Sequence, residues 1–445
     1  MSYIHPLTET RKLIAGIDTK ISLPNGKYLP VINFDNAATT PPFLPVLEEI
    51  MNFSPWYASV HRGTGYKSQV SSNIYENARS MIADFVGADL KHDTIIFLKN
   101  TTEAINKLSN RLLNTYKDGV ILSSFMEHHS NDLPWRNKYT VDYIDINQEG
   151  KLSLEDLEAK LLHYKGRVQL VAVTGASNVT GYMNPINQIA EIAHRHGAKI
   201  LVDGAQLVPH APINMKPPND PQHIDFLVFS GHKMYAPFGT GVLIGPKEIF
   251  QKGSPDYTGG GTVEIVTHDT VKWADPPLKE EAGTPNVMGV LAIVTAIKTL
   301  KNLGMEDIEI YERKLMEYAL SRLKDIDDLI FYGDAFNSKD RVSIIPFNIL
   351  GMSHDMVATI FAQEAAIAVR NGCFCAQPYI QRLLNISAEE IKNRIEDPSL
   401  PHPGVVRISF GLYNSFDEID QLIKLLSKIS KNKKAYLSKY RHLSF

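Results

Sequence analysis

Short apolar runs, each ending in a cluster of polar residues, constrain this chain more than any other feature. Thr94–Leu98 leads into Asn100-Thr101-Thr102-Glu103 and then a helical pattern over Ala104–Leu113. Val120–Ser123 precedes Glu127-His128-His129-Ser130-Asn131, and Val168–Thr174 precedes Gly175-Ala176-Ser177-Asn178. Lys199–Val202 ends at Asp203, Asp225–Phe229 ends at Ser230-Gly231-His232-Lys233, and Gly241–Ile244 is a further strand. Helical spacing over Glu76–Val86 and over Ile186–His196, stopped at Gly197, lies between such runs. Apolar strands alternating with helices predict an α/β fold, with a mostly parallel sheet covered by helices on both faces. Ligands of such sheets bind beyond the carboxyl ends of the strands, where these polar clusters fall.

From about residue 295 the texture changes. Val290–Leu303 and Ile308–Leu323 are long helical patterns, Arg341–Leu350 and Val405–Phe410 read as strands, and Phe416–Ile429 closes the chain as an amphipathic helix. A chain of 445 residues is too long for one ordinary core. Two domains are expected: a large one over 30–295, and a small α+β one from 1–29 plus 296–445 that carries both cysteines. The formal net charge of −3 provides no basic surplus for nucleic acid. The segment Met1–Lys20 has no apolar core of a signal peptide, and no apolar run approaches a membrane span, so neither secretion nor a membrane partner is expected. The only cysteines are Cys373 and Cys375. That excludes a disulfide framework and favours a reducing, cytoplasmic setting.

The polar clusters carry candidate chemistry, and each also has an ordinary structural reading. Lys233, directly after an apolar strand, is either a surface lysine or an amine made nucleophilic by desolvation. Asp203 is either a helix cap or the carboxylate that an electron-sink cofactor needs against its ring nitrogen. Asn100-Thr101-Thr102 is either a plain cap or a phosphate cradle at a helix N-terminus, with Ser230 and His232 near enough in the pattern to help. Glu127-His128-His129 lacks metal-ligand spacing; it is a polar loop or supplies an imidazole to a cofactor ring. Cys373 and Cys375 sit in a glycine-containing stretch near Arg370, where a nearby cation favours a thiolate; inert burial is the alternative.

Together these clusters form an ordered set, and the stretches that hold them match a family. FDNAATT (34–40), VHRGTGY (60–66), NTTEAIN (100–106), MEHHSNDLPW (126–135), LVDGAQ (201–206), FSGHKMYAPFGTG (229–241), EAGTPN (281–286) and RNGCFCAQP (370–378) occur in this order. In them the chain resembles the class V aminotransferase family, and within it the group II cysteine desulfurase and selenocysteine lyase branch, from about Asn33 to Leu425. The resemblance implies a fold-type I homodimer, with a mostly parallel mixed sheet covered by helices, that binds pyridoxal 5'-phosphate (PLP) in the large domain. Lys233 resembles the Schiff-base lysine, Asp203 the pyridine-nitrogen partner, Gln206 the phenolic-oxygen partner and His128 the stacking imidazole. Thr101, Thr102, Ser230 and His232 resemble the phosphate ligands, with Thr284 supplied by the neighbouring subunit. Asn178 and Arg407 resemble the clamp on the substrate carboxylate, Arg370, five positions before Cys375, is a further substrate-binding candidate, and His61 and Arg62 line the entrance.

Cys375 resembles the sulfur-accepting cysteine, which implies conversion of L-cysteine to L-alanine and an enzyme persulfide, passed on to a sulfur-acceptor protein. A cysteine, cystine or selenocysteine lyase, a class V aminotransferase, and a non-catalytic scaffold are the other readings. Two departures from the family stand out. Cys373-Phe374 replace the histidines usual before the catalytic cysteine, and the segment 379–406 is longer than is typical, with a helix expected over Ser387–Glu396.

Overall fold

The computed structural model describes residues 6–113, 115 and 119–441. Its centre is a seven-stranded sheet. In chain order the strands are β1 (Asp93–Leu98), β2 (Val120–Ser124), β3 (Thr140–Ile144), β4 (Val168–Thr174), β5 (Lys199–Asp203), β6 (Phe226–Ser230) and β7 (Gly241–Pro246). They lie side by side as β1-β7-β6-β5-β4-β2-β3.

The strands β3, β2, β4, β5 and β6 pair in parallel. Only β7 runs against its neighbours. The reason lies in its connection: residues 231–240 between β6 and β7 are too few for a helical crossover, so the chain must turn back. The sheet is therefore mixed, with one antiparallel strand.

Alternate residues of these strands feed two apolar layers. Ile96, Ile121, Leu170, Leu201, Val228 and Leu243 face the helix Thr101–Leu112 through Ala104, Ile105 and Leu108. Ile95, Leu122, Val173, Val202, Phe229 and Val242 face the other side, covered by the helices Tyr66–Val86, Ile186–Arg195 and Val287–Leu303. Each fully buried aliphatic or aromatic side chain contributes about 1.5–3 kcal/mol, so both faces favour strand residues that are apolar throughout. The helix Tyr66–Val86 begins ten residues earlier than the apolar spacing indicates, because its first half buries Ser68 and Ser71 instead of aliphatic residues.

A second, antiparallel sheet follows later in the chain. Its strands are β8 (Leu329–Phe331), β9 (Ile344–Ile349), β10 (Arg370–Gly372) and β11 (Val405–Ser409), in the order β8-β9-β11-β10. The start of the chain returns to this region. Ile32–Asn33 pairs in parallel with Ile367–Ala368, and Arg11 bonds to Glu418 at 2.8 Å. Between β10 and β11 the long segment folds into the helices Gln377–Leu383 and Ala388–Glu396. The second of these, held by a capping box at Ser387, buries none of its residues. Among the described residues no single helix is long and apolar enough to cross a membrane.

Candidate active site

The carboxyl ends of β4, β5 and β6, the N-terminus of the helix Thr101–Leu112 and the cysteine loop enclose a cavity of about 230 Å³. Lys233 stands in it, on the short helical turn Gly231–Lys233 that follows β6. That turn is braced from several sides. Gly231 N–H donates to Thr240 O at 2.8 Å and Thr40 N–H donates to His232 O at 3.0 Å. Tyr235 N–H donates to Thr40 Oγ1 at 2.7 Å, and the Tyr235 ring stacks on Phe43 at 4.3 Å. Burial pulls the Lys233 ammonium down to about 8; the Asp203 charge opposes this and the Arg407 charge adds to it. About a tenth of the amine is therefore unprotonated at pH 7, and half near pH 8, far more than for an ordinary lysine.

Asp203 ends β5 and is 4% exposed. Its Oδ1 accepts from Ala205 N–H at 3.0 Å, and burial raises its carboxyl against the attraction of Lys233. Gln206 donates from Nε2 to Ala37 O at 2.6 Å, while its Oε1 is buried without a hydrogen-bond partner. The phosphate-cradle candidates meet as well. Asn100 caps the helix, accepting Glu103 N–H at 3.0 Å, and Thr101 N–H and Oγ1 lie 2.8 and 2.7 Å from Ser230 Oγ. Strand β7 passes so close that a Cβ on Gly241 would lie 2.6 Å from Asn100 Cα, which requires glycine there.

His128 is held by its own turn. Ser130 N–H donates to His128 Nδ1 at 3.1 Å, which puts the hydrogen of the neutral ring on Nε2. Burial and the Lys233 charge lower this imidazole to about 3, and the same two causes lower His232 to about 4. Ser130 Oγ also lies 2.7 Å from Thr102 Oγ1, joining the imidazole turn to the helix N-terminus.

Arg407, 2% exposed, points in from β11. Its Nη1 donates to Asn178 O at 2.7 Å and its Nη2 to Asp35 Oδ1 at 3.0 Å, while Nε has no partner. Burial lowers Arg407 to about 10, against the support of Asp35. Arg370 reaches Asp35 Oδ2 at 3.8 Å from the more exposed side.

The cysteine loop closes the cavity. Phe374 and Cys375 both adopt left-handed backbone, with φ of 51° and 54°. Such residues cost about 1–3 kcal/mol each and persist only where contacts hold them. Here they do: His129 N–H donates to Cys375 O at 2.6 Å, Asn178 Nδ2 to Phe374 O at 2.7 Å, and the Arg407 guanidinium lies 4.6 Å from the Phe374 ring centre. Cys375 is exposed and lines the cavity with Lys233. Cys373 is half-buried and lines a different cavity, between the loop and the long segment, with Ile380, Ile391, Ile395 and His402.

Of the residues singled out in the sequence, Lys233, Asp203, Gln206, His128, Thr101, Thr102, Ser230, His232, Asn178, Arg370, Arg407 and Cys375 line this one cavity. His61, Arg62 and Thr284 do not. His61 pairs with Glu76 at 2.7 Å, Arg62 is exposed, and Thr284 lines a separate cavity with Tyr257 and Lys107. The loop of Thr284 is anchored by Glu281, which accepts from Arg79 at 2.9 and 3.0 Å and from Tyr75 OH at 2.8 Å. The sequence reading assigned no role to Asp35, Glu127 or Ser130. Their only signal was their position inside the motif stretches.

The family profile described as Aminotransferase class-V matches residues 32–422. A curated relative from Halalkalibacterium halodurans, a probable cysteine desulfurase, is 35% identical over 94% of this chain and 97% of its own length. The cysteine desulfurase of Escherichia coli is 34% identical over 90% of this chain and 94% of its own. The apo structure of a cysteine desulfurase from Thermococcus onnurineus superposes with a TM-score of 0.80 at 34% identity, covering 90% of this chain and 95% of that one. The chain belongs to the class V aminotransferase family, in its cysteine desulfurase branch.

Proposed function

We propose that this protein is a PLP-dependent cysteine desulfurase that converts L-cysteine to L-alanine and keeps the sulfur as a persulfide on Cys375. The observation that carries this reading is that Cys375 and Lys233 line one cavity. The residues present fit PLP: an amine of lowered pKa, a buried carboxylate, hydroxyls at a helix N-terminus, and a buried Gln206 oxygen without a partner. Lys233 would hold the aldehyde carbon, Asp203 the ring nitrogen, and Thr101, Thr102, Ser230 and His232 the phosphate. When bound, PLP captures the substrate amine and draws in the electron pair released at Cα.

The chain's own residues do the rest. Arg370 and Arg407 attract the substrate carboxylate, and the unpartnered Arg407 Nε gives it a donor. Lys233, unprotonated in part, takes and returns the proton at Cα. Neutral His128 carries its hydrogen on Nε2, from which it can donate a hydrogen bond while staying uncharged. The Cys375 thiolate attacks the substrate sulfur, so an S–S bond forms as the Cβ–S bond breaks. The electron pair of that bond stays with carbon, and protonation at Cβ completes alanine. Cysteine and the enzyme thiol together become alanine and the enzyme persulfide, with no outside oxidant.

The large sheet lies within 93–246 and the small one within 329–409, which supports a large domain over 30–295 and a small domain from 1–29 plus 296–445. Thr284, away from this chain's own cavity, supports a homodimer in which it serves the partner's site. Cys375 must stay reduced between turnovers, which favours the cytoplasm, and an acceptor protein is the outlet for the persulfide.

The deciding experiment measures products from L-cysteine with the PLP-loaded protein, with and without a thiol reductant. Alanine in both, with sulfide released chiefly when reductant is present, is the expected result. Pyruvate and ammonia would instead make the protein a lyase. A second expectation concerns pH. The unprotonated Lys233 amine is the reactive form, so the rate of PLP uptake by apo-protein should rise with pH about a midpoint near 8 and then level off, as stopped-flow absorbance would record.

A further inference from the structure

We infer that Glu127 is a positioning residue that sets the place of the His128 ring in the cavity. This rests on the reading above, in which His128 meets the cofactor ring.

Glu127 is 3% exposed. Its carboxyl group takes one donor from each of three elements. Oε1 accepts from Ser124 Oγ at 2.5 Å, at the end of β2, and from Thr174 N–H at 3.0 Å, at the end of β4. Oε2 accepts from Asn131 Nδ2 at 2.7 Å, in the turn that follows His128. Asn131 Oδ1 in turn accepts from Trp135 Nε1 at 3.2 Å, and that indole is fully buried. The His128 imidazole takes its hydrogen bonds from Ser130, on the same turn, so the ring sits wherever the turn sits. Thr174 is the residue that pairs with Asp203 between β4 and β5, and Gly175 N–H donates to Asp203 O at 2.8 Å. One carboxyl group thus fixes the imidazole turn against β4, the strand paired with the one that ends in Asp203.

All three partners are neutral, and burial raises the Glu127 carboxyl to about 8 against their hydrogen bonds, so near neutral pH it is largely the uncharged acid. Its two oxygens still meet hydroxyl, amide and backbone partners at once, which fixes a geometry. A displacement of about 1 Å in such a site lowers turnover by about 10²-fold.

The test uses the full-length, PLP-loaded protein. Glu127→Gln and Ser124→Ala are each made alone and on a His128→Gln background. Glu127→Gln is expected to shift the cofactor's absorbance band and to lower kcat for alanine formation by about tenfold or more, with KM for L-cysteine moving less than about threefold. Ser124→Ala should move both in the same direction by about threefold. On the His128→Gln background each should add less than about twofold, because residues acting through one another are non-additive. A wild-type band and kcat in Glu127→Gln, or the same loss with and without His128, would overturn the inference. If circular dichroism shows that Glu127→Gln has lost its fold, the Ser124→Ala pair decides by the same criteria. Failure of the underlying reading is distinct: the wild type itself would then show no band or no alanine.

Discussion

Lys233→Ala is expected to lower alanine formation from L-cysteine by at least about 10³-fold and to remove the lysine-linked absorbance near the edge of the visible. Among the described residues no other lysine lines the cavity, so none of them replaces it. The same change should not harm the fold. Burial makes the charged form of Lys233 unfavourable in the folded chain, with a pKa near 8 in place of the ordinary 10.5. That penalty is present in full below about 8 and is gone above about 10.5, because only between these values do the folded and unfolded chains differ in bound protons. The alanine variant should therefore melt no lower than wild type at pH 7, and any gain should fade as pH rises toward 10.5. A variant that turns over at the wild-type rate would remove Lys233 from the mechanism.

Cys375→Ser should stop sulfur transfer while PLP remains bound, whereas Cys373→Ser should leave alanine formation within about twofold of wild type. Cys375 shares the cavity with Lys233, and Cys373, two residues earlier, lines the groove beneath the long segment. The left-handed backbone at Phe374 and Cys375 turns the two thiols toward different spaces. Mass spectrometry after a single exposure to L-cysteine should find one added sulfur on the peptide containing both residues in wild type and in Cys373→Ser. None should be present in Cys375→Ser. The reverse pattern would make Cys373 the acceptor and would give its groove a chemical role.

The strand ends were legible because their signal is local: an apolar run, then a cluster of polar residues. Lys233, Asp203 and the Thr101 cradle could be read for that reason. The direction of β7 was not, since an apolar run has the same composition either way and only the short connection from Ser230 reveals it. Arg370-Asn371-Gly372 read as loop because a three-residue edge strand with a glycine has no periodicity; it is a strand only because β11 pairs with it. Asn178, expected beside Arg407 as a clamp on the substrate carboxylate, also makes a contact that no local pattern encodes. Its amide points to Phe374 O, nearly two hundred residues away in sequence, so it secures the cysteine loop. Asp35, between Arg370 and Arg407, depends on three distant segments meeting, which no spacing pattern encodes.

The cavity is stitched from both ends of the chain: Ala37 O receives Gln206, Asp35 receives Arg407, and Asn36 bonds to Ser409 O and to Asn414. A ribosome delivers these partners in sequence order, and domains tend to fold as they emerge. The lysine and its sheet can be in place while the thiol and the arginines are still unsynthesised. A nascent or truncated chain could then take up the cofactor yet have no means of accepting sulfur. Assembly of the complete cavity therefore waits for the late segments that hold Arg370, Cys375 and Arg407.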